Sequence, residues 1–153
     1  MSPQTRLNIR PRVLFQVAKA AWDGQLLQRR EEICRLVHQE FQDHTTRRQV
    51  ANQIRIAMGL DPHDADHVLG EHDEEALMGM TSEPVIVADA SACAHCSPEN
   101  RSCEDACPFN AISHDGQGRI GIDYSRCLGE GACIDACSFG ALAAKAQFVP
   151  LID

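Results

Sequence analysis

The sequence predicts an α+β protein: an N-terminal helical segment, then a duplicated cysteine-rich domain with short β-strands. Three observations predict it. Apolar residues recur at helical spacing through the first sixty positions. Short β-branched runs bounded by turn residues follow Pro84. The second half also repeats itself, with seven of eight cysteines between residues 93 and 137. The two domains are placed at 1–80 and 81–153.

The first helix is expected to start near Pro11, because proline suits a first helical position. Val13, Leu14, Val17, Ala21 and Trp22 then share one face, and Gly24 breaks the pattern. A second apolar stripe holds Ile33, Leu36, Val37 and Phe41, with Glu40 its one polar member. A third opens near Thr45, repeats through Val50, Ile54, Ala57 and Met58, and stops at Gly59. Asp61–Pro62 resembles a cap followed by a first-turn proline and allows a short fourth helix. The acidic stretch EHDEEALMGMTSEP, residues 71–84, reads as a linker or surface loop. VIVAD at 85–89 and RIGID at 119–123 read as strands, the second after the turn signal HDGQG at 114–118.

Charge is unevenly distributed. Residues 1–60 carry ten Lys/Arg against five Asp/Glu. Residues 61–92 carry no Lys/Arg and nine Asp/Glu, and residues 93–153 carry four against eight. The net charge of −8 argues against nucleic-acid binding. The basic first part suits an acidic protein partner. No stretch approaches the ~20 apolar residues of a membrane span. The first residues show neither a secretory pattern nor a twin-arginine pair, so the expected location is cytoplasmic.

VIVADASAC parallels IGIDYSRC, pairing Asp89 with Asp123 and Cys93 with Cys127 at an offset of 34. Further on the offset is 30, pairing Cys103 with Cys133, Cys107 with Cys137, Phe109 with Phe139 and Ala111 with Ala141. The first copy therefore holds four extra residues, within SPENRS.

The first motif is Cys93-x2-Cys96-x6-Cys103-x3-Cys107-Pro108, and the second is Cys127-x5-Cys133-x3-Cys137. Reduced thiols at short spacing point to metal rather than to a disulfide framework, which lacks any sign of secretion. A four-cysteine zinc site is the simpler alternative for the first motif. Zinc gives no reason for duplication. The run C-x2-C-x2-C-x3-C-P belongs to two-cluster ferredoxins, where the fourth cysteine serves the other cluster. A proline after that cysteine suits the first turn of a following helix.

Residues 85–145 thus resemble the bacterial dicluster ferredoxin family, on the endings ACPFNAI and ACSFGAL. The resemblance implies a ferredoxin-like iron–sulfur domain. By carry-over, Cys93, Cys96, Cys103 and Cys137 hold one [4Fe–4S] cluster, and Cys127, Cys133 and Cys107 hold the other. Three departures stand out: the insertion, Ser138 in place of the second proline, and Glu130 in place of a cysteine. Glu130 has three readings. It binds iron and completes a [4Fe–4S] cluster, it leaves a corner open and gives a [3Fe–4S] cluster, or it lies beside a degenerate site. Carboxylate is a harder donor than thiolate, and iron accepts both.

IRPRVLFQVAKAAWDGQL and RRQVANQIRIAMGL resemble the helical lead-in found before the ferredoxin domain of some iron-only hydrogenases and related iron–sulfur subunits. This implies a small wiring subunit, relaying single electrons to or from a larger oxidoreductase. Its partners are then hydrogenase-like, molybdenum/tungsten or flavin-containing subunits. No dinucleotide, P-loop or nucleophile motif marks a catalytic centre. A redox or iron sensor and a zinc-stabilised interaction module are the other readings. Cys34 reads as a buried apolar residue. His63 and His67, beside Asp64 and Asp66, read as a solvated surface, and His95 as a tuner of the first site or a bystander.

Overall fold

Glycines and a threonine set the helix boundaries of the first unit in the computed structural model, which describes residues 3–70, 73, 77, 83–93, 95–97, 99 and 101–146. Helix α1 spans Pro3–Trp22, α2 spans Leu26–Glu40 and α3 spans Arg47–Ala57. After α1, Gly24 takes a left-handed φ of 66°. The chain turns there while the Gln25 N–H bonds the Ala20 carbonyl at 2.8 Å. Thr46 starts α3 through a reciprocal cap. Its hydroxyl accepts from Gln49 N, and the Gln49 amide oxygen accepts from Thr46 N.

The core of this unit joins Ile9, Val13 and Val17 of α1 to Ile33, Cys34 and Val37 of α2 and to Val50, Ile54 and Met58 around α3. Each large side chain so buried contributes about 1.5–3 kcal/mol. Burial pushes the Cys34 thiol up to about 11, as expected of a small apolar core residue.

Three sequence expectations are corrected here. Pro11 lies inside α1 rather than at its start. Leu14 and Trp22 face outward, Trp22 being 81% exposed, because Ile9, Val13, Val17 and Ala20 form the buried stripe. Residues 61–70 are not helical. Side chains of α3 satisfy that segment's backbone instead. Asn52 bonds both the N–H and the carbonyl of His63, and Arg55 donates to the carbonyls of Asp61 and Val68. Arg55, 5% exposed, also pairs with Asp73. Most of the stretch 71–84 lies outside the described residues.

The chain divides into two compact units, one of residues 1–81 with 145–153 and one of residues 82–144.

The second unit is mixed. Strand β1 (Val85–Val87) pairs antiparallel with β4 (Leu142–Ala144), Ile86 opposite Ala143. Strand β2 (Ile112–His114) pairs antiparallel with β3 (Ile120–Ile122), Ser113 opposite Gly121. Asp115 shapes the connecting turn, accepting from the N–H groups of Gln117 and Arg119 at 2.9 Å each. Among the described residues the unit also holds three short α-helices: α4 (Ala90–Cys93), α5 (Ser102–Ala106) and α6 (Ala132–Ala136).

Hydrogen bonds recur at the sequence offsets. The Asp89 carboxylate accepts from the backbone N–H and hydroxyl of Ser91, and Asp123 does the same for Ser125. Pro108 does not begin a helix, a further correction. It is second in a turn closed by Asn110 N–H on the Cys107 carbonyl at 3.1 Å. The equivalent turn, Gly140 N–H on the Cys137 carbonyl at 3.0 Å, holds Ser138 there. Proline fits that position of a turn and serine is tolerated, so the departure leaves the geometry intact.

Candidate metal centre

The short helices sort the cysteines into two sets, each drawing on both copies of the repeat. Cys93 ends α4, and Cys96 follows in a tight turn, its N–H on the Cys93 carbonyl at 3.0 Å. Cys103 lies within α5 and Cys133 within α6, while Cys107 and Cys137 are the C-cap residues of those helices.

Cys96, Cys103 and Cys137 line one cavity. Cys93 belongs to a small buried cluster with Ala92 and Ala141, against which Cys137 packs. Cys107, Cys127 and Cys133 line a second cavity, and Glu130 lines it with them. The structure therefore places Cys137 with Cys96 and Cys103, and Cys107 with Cys127, Cys133 and Glu130, while Cys93 adjoins Cys137 without lining the first cavity.

Glycine geometry brings Glu130 to its place. Gly129 and Gly131 flank it with φ of 75° and 83°, a region that costs other residues about 1–2 kcal/mol. A Cβ on Gly129 would also lie 2.9 Å from two Pro84 carbons. The Gly-Glu-Gly triplet, which sequence reasoning passed over, is the signal for this loop.

Each exchanged sulfur accepts a backbone N–H: Ala111 to Cys107 Sγ at 3.4 Å and Ala141 to Cys137 Sγ at 3.3 Å. Burial pushes the Cys103 thiol up to about 11, with repulsion from Cys137 and Cys96 adding to it. Burial raises Cys133 too, followed by Cys107 and Cys127. Crowded, desolvated thiols disfavour their charged form unless a cation binds, and a bound metal deprotonates them. The donor set thus fits a cationic iron–sulfur core held by several thiolates.

Among the described residues, no three His, Cys, Asp or Glu side chains converge closely enough for a single metal ion. His63 and His67 stand edge to face at 5.0 Å, and His63 Nε2 bonds the His67 carbonyl at 2.7 Å. His95 joins the first loop through its N–H on the Ala92 carbonyl at 3.3 Å. Two polar ties missed in the sequence hold α5. Ser102 Oγ donates to the Ala136 carbonyl at 2.7 Å, and Glu104 Oε1 meets His114 Nδ1 at 2.5 Å.

Residues 92–141 match the 4Fe-4S dicluster domain family. The match supports iron–sulfur clusters of the 4Fe–4S type in this part of the chain.

Three relatives illustrate the match. A tetrathionate reductase subunit from Archaeoglobus fulgidus is 49% identical over 49 residues, covering 32% of this chain and 23% of the relative. Thiosulfate reductase electron transfer subunit PhsB of Salmonella typhi is 42% identical over 48 residues, covering 31% and 24%. Electron transport protein HydN of Escherichia coli strain K12 is 36% identical over 58 residues, covering 38% and 31%. The chain thus spans less than a third of these relatives' own length. No solved structure matches it significantly. No helix among the described residues is long and apolar enough to cross a membrane.

Proposed function

We propose that this chain relays single electrons through two iron–sulfur clusters, to or from a larger oxidoreductase. Cys93, Cys96, Cys103 and Cys137 hold the first [4Fe–4S] cluster. Cys107, Cys127 and Cys133 hold the second, with Glu130 as its fourth donor. A bound cluster supplies a one-electron change shared among several irons. The protein's own part is to fix the thiolates, donate N–H bonds to the two exchanged sulfurs, and keep apolar side chains packed around both sites.

The single observation that carries this reading is the exchange itself. Cys137 joins Cys96 and Cys103, and Cys107 joins Cys127 and Cys133. A lone zinc ion gathers its sulfurs at about 2.3 Å and needs no exchange between copies. The recurrent Asp–Ser turns and N–H···S bonds support a duplicated ferredoxin-like arrangement. The presence of Glu130 in the second cavity supports its role as a ligand over an open corner.

The relatives' names support a relay role within a larger complex. The partner is a catalytic subunit of hydrogenase-like, molybdenum/tungsten or flavin-containing type. The helical unit docks on it, and the outward Phe15 and Trp22 of α1 supply apolar contact area for that purpose. The docked complex works in the cytoplasm.

The test is EPR of the anaerobic protein, as isolated and dithionite-reduced, with iron and sulfide counts. Two four-iron signals are expected. Sulfide-free or zinc-loaded protein would exclude electron relay, and a three-iron signal in place of the second would exclude Glu130 as ligand.

A further inference from the structure

Helix α5 has five residues, too few to be stable alone, so its position depends on tertiary ties. It is also shared. Cys103, within it, faces the first cavity, and Cys107, at its end, faces the second. Movement of α5 therefore moves a thiol at each site.

One of its ties runs to β2, which is fixed by its register with β3. The His114 side chain on β2 is buried, 3% exposed, and its Nδ1 meets Glu104 Oε1 of α5 at 2.5 Å. With a carboxylate as acceptor, Nδ1 carries the proton.

The second copy shows that a side-chain bond to the following strand is not required to seat such a helix. At the same offset of 30, Ile134 replaces Glu104 and Ala144 replaces His114. Ile134 packs among apolar side chains around Val85 and Leu142. Apolar contact is non-directional and lets a short helix rotate or slide. A hydrogen bond with preferred length and angle does not.

We propose that Glu104 and His114 are a positioning pair that fixes α5, and thereby sets the separation and reduction potentials of the two clusters. This rests on the ligand assignment proposed above. Hydrogen bonding and charge near a cluster also tune its potential. The pair therefore acts on the first cluster through Cys103 and on the second through Cys107.

The test uses the full chain, purified anaerobically, with three variants. His114→Ala breaks the tie. His114→Asn places an amide nitrogen where Nδ1 stood. Glu104→Ile with His114→Ala transplants the second copy's own pair. Iron and sulfide are counted, each cluster is titrated, and spin–spin splitting is read with both clusters reduced.

His114→Ala and the transplant are expected to keep both clusters while changing the splitting and shifting at least one potential. His114→Asn is expected to restore wild-type values. Failure of His114→Ala or the transplant to load clusters, with His114→Asn loading normally, also supports the pair's role. Wild-type splitting and potentials in the transplant would overturn it. So would a His114→Asn variant as altered as His114→Ala. Absence of clusters from the wild type would instead overturn the ligand assignment, a separate result.

Discussion

Cys103 and Cys137 share one cavity, and repulsion from Cys137 helps to raise the Cys103 thiol, although the two come from opposite copies of the repeat. The same exchange places Cys107 with Cys133. Its consequence is counter-intuitive by sequence position. Cys107→Ser, a change within the first motif, is expected to remove the second cluster. Cys137→Ser, in the second motif, is expected to remove the first. Each variant should retain about half of the iron and sulfide. The EPR signal lost identifies the cluster, and loss of the same signal in both variants would contradict the exchange.

Glu130→Ala removes the carboxylate and leaves Cys107, Cys127 and Cys133. The second cluster is expected to lose one iron and give a three-iron signal as isolated. Glu130→Cys supplies a thiolate on the same loop and should keep four irons. Iron content unchanged in Glu130→Ala would show that the carboxylate is not a ligand.

Gly129→Ala tests how the loop around Glu130 is shaped. The left-handed φ of 75° and the close approach to Pro84 both oppose a side chain. The expected cost is about 2 kcal/mol, with reduced loading of the second cluster. Gly131 also has positive φ, but open space lies where its Cβ would go. Gly131→Ala should cost about 1 kcal/mol and leave loading intact. Denaturant unfolding followed by cluster absorbance separates the two.

In the helical unit, the hydrogen bond from Arg55 holds the Asp73 carboxyl down to about 2, against an ordinary 3.8. A depressed folded-state value means the ionised form stabilises the fold. That contribution is complete above the unfolded value and is lost as pH falls from about 4 to 2. Arg55→Ala should flatten this window in melts across acidic pH. It should also cost about 3 kcal/mol, because Asp73 and the carbonyls of Asp61 and Val68 lose their donor.

The metal-binding pattern was legible because thiol spacing is a covalent constraint that survives in the sequence. The change of offset from 34 to 30 likewise located the insertion. Helices α2 and α3 were legible from Ile33, Val37, Val50 and Ile54, whose spacing matched their burial. Strands β2 and β4 were not. Each has three residues, and Leu142–Ala144 contains no β-branched side chain. Helices α5 and α6, at five residues, are too short to show a period. Trp22 and Leu14 were misplaced because α1 carries apolar residues on two sides, and only packing decides which is covered. The Asp61–Pro62 cap failed because Arg55 and Asn52 satisfy that backbone from outside.

The reciprocal use of α5 and α6 bears on how the protein acquires its metal. While the chain is being made, Cys93, Cys96 and Cys103 emerge well before Cys137, which follows Cys103 by thirty-four residues. Cys107, in turn, has no companions until Cys127 and Cys133 exist. A nascent fragment containing one copy offers incomplete donor sets at either centre. On the proposed ligand sets, iron and sulfide delivery is a late step, coming after α6 has been synthesised and has found α5.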